Sequence, residues 1–207
     1  MNVPTSPLIH LVDDDAAVRD GLALLISTVG LRVQTWADPQ AFLQGFERDA
    51  IGAIVLDVRM AGLSGLAVLD RLQAERVDQP VVMLTGHGTV DLCRRAFKNG
   101  AAEFLEKPVD DEVLLETLQN AVRQHVRSRE RQQADRRSRE RFALLSERER
   151  EVLSLIVAGL TNKEVGRALD LSPRTVETHR ANLFAKLEAA SLAQLIRQYA
   201  ELAEGTP

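Results

Sequence analysis

The chain has 207 residues, 26 basic and 30 acidic side chains for a formal net charge of -4, and one cysteine, Cys93. That length holds one large domain or two small ones, and a lone cysteine excludes a disulfide framework and fits a reducing compartment. No apolar stretch approaches the roughly 20 residues of a membrane span, and Met1 to Pro7 lacks the basic-then-apolar order of a signal peptide; a cytoplasmic protein with no membrane partner is expected.

From Leu8 to about Arg123, short apolar runs alternate with helix-like stretches. Leu8–Val12 reads as a strand and ends in Asp13-Asp14-Asp15. Arg32–Trp36 follows, then Ala53–Asp57, Val81–Thr85 and Glu103–Glu106, the last followed by Lys107. Asp15, Asp38 before Pro39, Ser64 and Asp110 stand where helix N-caps are expected, and Gly30 and Gly100 where left-handed C-caps are. This alternation predicts an α/β fold, a doubly wound five-stranded parallel sheet with helices on both faces.

In such a sheet, functional groups gather outside the carboxyl ends of the strands. Asp13, Asp14, Asp57, Thr85 and Lys107 all fall there. Clustered carboxylates repel unless a cation lies among them, and hard oxygen donors suit Mg²⁺. A carboxylate in that setting can attack a phosphoryl donor and become an aspartyl phosphate. Lys107 would then neutralise one phosphate oxygen and Thr85 would donate to another. Taken singly, an Asp-Asp pair after a strand is usually a helix cap and a solvated acid, and a Lys-Pro dipeptide is usually a loop. Their joint occurrence at four strand ends favours the phosphoryl-acceptor reading, with Asp15 left as a structural N-cap.

Between Arg123 and Arg141 the chain is Arg-rich, with Glu and Gln interspersed. These are good helix formers, so the helix begun near Asp111 is expected to continue as a solvated linker; no apolar heptads extend beyond Val126 to make a coiled coil. From Leu145 onward the pattern is helical. Ser146-x-x-Glu149, Thr161-x-x-Glu164 and Ser191-x-x-Gln194 match capping boxes, and Ser172-Pro173 is an N-cap followed by proline. Helices are expected at about Glu147–Ala158, Asn162–Leu169, Pro173–Leu187 and Leu192–Ala203. The second and third, joined by Asp170-Leu171-Ser172, have helix-turn-helix proportions. The division expected is a domain over 8–122, a charged linker helix over 123–141 and a helical domain over 142–207. In Pro173–Leu187, Val176, Leu183 and Leu187, with His179 among them, form one buried stripe. The other face carries Arg174, Glu177, Thr178, Ala181, Asn182 and Ala185, flanked by Arg180 and Lys186. Alone, this is an ordinary amphipathic helix, but cationic flanks around small hydrogen-bonding residues also suit a major-groove reader.

Across Leu8 to about Val122 the sequence resembles the receiver domain of two-component response regulators. The matching pieces are Val12-Asp13-Asp14-Asp15, Leu56-Asp57-Val58-Arg59-Met60, Leu84-Thr85-Gly86-His87-Gly88 and Phe104-Leu105-Glu106-Lys107-Pro108. The resemblance implies Asp57 as phosphoryl acceptor, Mg²⁺ held by Asp13, Asp14, Asp57 and the Arg59 carbonyl, Phe104 as an aromatic switch, and a cis Lys107-Pro108 bond. Arg59 and His87, each two residues after a site residue, are expected to modulate the lifetime of the phosphorylated state. Two departures stand out. Ala61 replaces the usual proline, which should loosen the loop beside Asp57, and Thr89-Val90-Asp91-Leu92-Cys93 should start the fourth helix differently.

Leu145-Ser146-Glu147-Arg148-Glu149-Arg150-Glu151-Val152-Leu153, Gly159-Leu160-Thr161-Asn162-Lys163-Glu164 and Ser172-Pro173-Arg174-Thr175-Val176-Glu177-Thr178-His179 resemble the LuxR-type DNA-binding domain. Both halves together resemble the NarL/FixJ family, on its FixJ-like branch. DNA contacts are then expected from Asn162, Lys163, Arg174, Thr175, Glu177, Thr178, Arg180, Ala181, Asn182 and Lys186. A transcription regulator is implied, not an enzyme beyond an intrinsic autophosphatase activity. Its partners would be a sensor histidine kinase, double-stranded promoter DNA, RNA polymerase and, on phosphorylation, a second copy. Two alternatives stay open: a phosphotransfer or phosphatase protein, and a constitutive DNA-binding regulator with a non-signalling receiver.

Overall fold

The computed structural model describes residues 6–204 as two compact units, one ending at Arg129 and the other starting at Glu130. In the first unit, β1 (Leu8–Val12), β2 (Arg32–Trp36), β3 (Gly52–Asp57), β4 (Val81–Thr85) and β5 (Glu103–Glu106) alternate with α1 (Ala16–Ser27), α2 (Pro39–Gly45), α3 (Gly65–Ala74) and α4 (Val90–Lys98). The sheet is wholly parallel, in the order β2-β1-β3-β4-β5. The central strands β1, β3 and β4 are buried along their length, as expected of near-continuous apolar runs covered on both faces. One face packs Val12, Ile54, Leu56 and Met83 against Phe42 of α2 and Leu69 and Leu72 of α3. The other packs Ile9, Leu11, Val55 and Leu84 against Ile26 of α1 and Leu114 and Leu118 of the next helix. Each such side chain contributes about 1.5–3 kcal/mol of transfer free energy, which fixes the register that aligns the strand ends.

The caps lie where the sequence puts them. Asp15, Asp38 and Ser64 accept from the first turns of α1, α2 and α3, and Asp110 accepts from Glu112 and Val113. Thr89 caps α4, its hydroxyl accepting from Leu92 N at 3.2 Å, so the departure in that segment still carries a helix start. The Lys107-Pro108 bond is cis.

α5 is one continuous helix, Asp111–Ala143, of 33 residues; no helix among the described residues is long and apolar enough to cross a membrane. The second unit holds its last turns with α6 (Glu147–Val157), α7 (Asn162–Leu169), α8 (Pro173–Leu187) and α9 (Leu192–Glu204). Val152, Leu153, Ile156, Val165, Val176, Leu183, Leu187, Leu195 and Tyr199 form its core. Phe184 also packs on this core, which the stripe of Val176, Leu183 and Leu187 did not anticipate. Capping boxes close α6 and α7. At α9 the box is only half formed: Ser191 Oγ accepts from Gln194 N, but the side-chain Oε1 of Gln194 accepts from Ala190 N instead of Ser191 N. The α7–α8 turn is tight. A Cβ on Gly166 would lie 2.8 Å from the Leu171 carbonyl oxygen, so only glycine allows this approach without a shift.

Candidate functional sites

The parallel register brings Asp13, Asp57, Thr85 and Lys107 to one rim, because Asp57 and Thr85 end β3 and β4 while Asp13 and Lys107 directly follow β1 and β5. Asp57 pairs across the sheet with Leu84, and Thr85 with Glu106. Lys107 Nζ donates to Asp13 Oδ2 at 2.6 Å and to Asp57 Oδ1 at 2.7 Å. The other oxygens are also engaged: Asp57 Oδ2 accepts from Arg59 N at 2.9 Å, and Asp13 Oδ1 from Asp15 N at 2.9 Å. Asp14 is exposed, and its Oδ2 accepts from Ala61 N at 2.9 Å. Carboxylate oxygens of Asp13, Asp14 and Asp57 lie within 4.8 Å of one another.

The charge balance of this cluster is negative, three carboxylates against one ammonium. Burial pushes the Asp57 carboxyl above its ordinary range; Lys107 opposes that, and the Asp13 charge adds to it. Lys107 is also raised: burial alone would lower it, but its hydrogen bonds to Asp13 and Asp57 outweigh burial. The two directions agree physically, since the lysine has two acids to itself while Asp57 shares its ammonium with a second acid. Such a cluster, with more negative than positive charge, has the donor chemistry that suits a hard cation.

Thr85 is fully buried, and its hydroxyl is engaged with the backbone of His87, within 3.3 Å of both its N and its O. Phe104 is half-buried against the cluster containing Met83, Met60 and Leu92. Arg59 and His87 are exposed at the edge of the rim. Asp15 lies outside the cluster as the N-cap of α1. Three contacts here had no sequence signal. Arg19 Nη1 holds the Asp13 carbonyl at 2.7 Å, and Glu106 Oε1 accepts from Gly88 N at 3.0 Å. The third corrects the expectation of a looser loop: Ala61 has the N–H that a proline lacks, and uses it to tie this loop to Asp14.

In the second unit, Arg174, Glu177, Thr178, Ala181, Asn182 and Ala185 are exposed on α8, opposite buried Val176, Leu183 and Leu187. Thr175, His179 and Arg180 are half-buried; Lys163 is exposed and Asn162 half-buried at the start of α7. Lys186 differs from the rest. Its Nζ donates to Glu149 Oε2 at 2.7 Å, and that carboxylate has only 6% of its side chain exposed. Burial would raise the Glu149 carboxyl, yet hydrogen bonds from Lys186 and Ser146 hold it below the ordinary range. Lys186 itself keeps 40% of its side chain exposed, but its ammonium is engaged with Glu149, unlike a free cationic flank.

Comparison with known proteins gives two family matches, the response regulator receiver domain over residues 9–119 and the bacterial regulatory proteins of the luxR family over 143–199. The transcriptional regulatory protein FixJ of Bradyrhizobium diazoefficiens is 42% identical over 91% of this chain and 92% of its own length. That of Azorhizobium caulinodans is 43% identical over 94% of this chain and 92% of its own. Among solved structures, the response regulator StyR superposes with a TM-score of 0.85 at 34% identity, covering 95% of this chain and all of that one. Full-length FixJ from B. japonicum gives 0.59 at 40% identity, covering 98% of this chain and all of that one.

Proposed function

The chain belongs to the FixJ-like response regulators, a receiver joined to a LuxR-type DNA-binding domain, and from this premise we propose that Asp57 is the residue through which phosphorylation controls its transcriptional activity. The observation that carries this reading is the Lys107 ammonium bridging Asp13 and Asp57 at the carboxyl ends of the strands, with Asp14 beside them.

A histidine kinase is the phosphoryl donor. An Asp57 oxygen attacks the phosphorus of its phosphohistidine; the new P–O bond forms as the P–N bond breaks, and the imidazole leaves and takes up a proton. Lys107 turns from the carboxylate to a phosphoryl oxygen. Asp13, Asp14, Asp57 and the Arg59 carbonyl would hold Mg²⁺, whose role is to neutralise phosphoryl-oxygen charge; three clustered carboxylates facing one lysine are a donor set that suits it. The Thr85 hydroxyl exchanges His87 for a phosphoryl oxygen, and Phe104 moves into the space it vacates. That change biases the α4–β5 surface toward pairing with a second copy. Arg59 and His87 screen the acyl phosphate from hydrolytic water and set its lifetime, the intrinsic autophosphatase activity of the protein.

On DNA, α8 reads base edges in the major groove through Arg174, Glu177, Thr178, Ala181 and Asn182, while Asn162, Lys163, Thr175 and Arg180 meet the backbone. Paired receivers raise the effective concentration of the second DNA-binding domain on adjacent half-sites, and the bound regulator contacts RNA polymerase.

The test is intact-mass spectrometry after incubation with acetyl phosphate. Expected is one Mg²⁺-dependent, base-labile phosphoryl adduct, absent from Asp57→Asn. The same adduct on Asp57→Asn would overturn the assignment.

A further inference from the structure

The exposed face of α8 has its position fixed by what holds the two ends of the helix. At the C-terminal end, three successive residues are tied to three different elements. Lys186 Nζ donates to Glu149 Oε2 on α6 at 2.7 Å. The Leu187 carbonyl accepts from the buried Tyr199 hydroxyl on α9 at 3.0 Å. Glu188, in a left-handed cap with φ +49°, pairs with Arg141 of α5. At the other end, Arg148 donates to the Leu169 carbonyl at the close of α7. Two adjacent residues of α6, Arg148 and Glu149, thus hold the turn that leads into α8 and the last turn of α8 itself.

The Glu149 side of this arrangement is built and closed. The same Oε2 that accepts from Lys186 accepts from Ser146 N at 2.8 Å and Ser146 Oγ at 3.0 Å, and the residue is 4% exposed. Releasing Lys186 to reach a phosphate would leave this nearly buried carboxylate without its counter-ion, which is unfavourable. A lysine at the end of a DNA-reading helix, 40% of its side chain exposed, invites assignment as a phosphate contact, but its ammonium here is committed to Glu149.

We infer that Lys186 is a positioning residue. Together with Glu149 it fixes the tilt and register at which α8 presents Arg174, Glu177, Thr178 and Asn182, and it neutralises no DNA phosphate. This rests on the assignment of α8 as the base reader and adds the device that aims it. A shift of the helix end by an ångström misaligns paired hydrogen bonds to base edges while leaving diffuse phosphate attraction intact. Loss of the pair therefore costs discrimination between sequences more than it costs general affinity.

The experiment uses the full chain, phosphorylated, and two probes: a duplex selected by the wild-type protein from a random library, and a scrambled duplex of the same composition. Affinities for both are measured by fluorescence anisotropy over a range of salt. Lys186→Met and Glu149→Gln are each expected to lower the ratio of selected to scrambled affinity on the order of tenfold, the value of about one base contact. The salt dependence on the scrambled duplex should not change. Lys186→Arg should keep most of the discrimination, and the double variant should lose no more than Lys186→Met, since both remove one interaction. A phosphate contact gives another pattern: equal weakening on both duplexes and a salt slope reduced by about 0.9 per contact, with Glu149→Gln like wild type. That pattern would overturn the inference. If Glu149→Gln unfolds the domain, the Met and Arg variants at 186 decide alone. Wild-type protein that selects no duplex would instead remove the base-reader assignment itself.

Discussion

His10 lies fully buried in β1, its Nδ1 accepting from Trp36 Nε1 at 3.3 Å and its ring within 6.1 Å of the rings of Trp36, Phe42 and Phe46. Burial pushes its pKa below the ordinary 6.5, with Glu47 partly opposing. The sign follows: the unfolded chain takes up a proton near pH 6.5 and the folded chain resists, so stability is full above that pH and is lost as pH falls below it. The slope is at most about 1.4 kcal/mol per pH unit and ends once His10 protonates in the folded state. Calorimetry at pH 7.5 and 5.5 is expected to show a smaller drop in Tm for His10→Gln than for the wild type; equal drops would assign the acid sensitivity elsewhere. At this scale the rim was legible, because Asp13, Asp57, Thr85 and Lys107 each end a recognisable strand or follow one. Ala61 was not legible. Its contact with Asp14 spans 47 residues and comes from a backbone N–H, which every residue except proline carries.

Among the elements, strands and helix starts could be read because apolar runs, caps and glycines are local signals; β1, β2, β4 and β5 begin and end where the sequence places them. What could not be read was how elements lean on one another. The Glu149–Lys186 pair links residues 37 apart, and each partner has an adequate local explanation, one as a capping-box acid and the other as a helix-end cation. The half-formed box at Ser191 shows the same limit, since Gln194 finds Ala190 N within reach. The α7–α8 turn gives the sharpest element-level prediction. Gly166→Ala would bring a Cβ to 2.8 Å from the Leu171 carbonyl oxygen, a contact with backbone that only a shift of the turn relieves. Destabilisation of about 1–3 kcal/mol is expected, read as a lower-temperature transition for the DNA-binding domain in calorimetry of the full chain. An unchanged transition would mean that the turn adapts freely.

For the whole molecule, the proposed function requires that phosphorylation at the receiver change what α8 does on DNA, through pairing of receivers or through release of a masked helix. On that proposal both routes start from phosphorylation of Asp57. The decisive measurement is the affinity of the full chain for its selected duplex, with and without acetyl phosphate and Mg²⁺, on wild type and Asp57→Asn in parallel. Wild-type binding is expected to tighten on phosphorylation by tenfold or more, on the order of 1.4 kcal/mol, and Asp57→Asn is expected to stay at the unphosphorylated level under both conditions. Wild-type affinity that ignores the phosphoryl donor, or Asp57→Asn that responds to it, would overturn the control of DNA binding through Asp57.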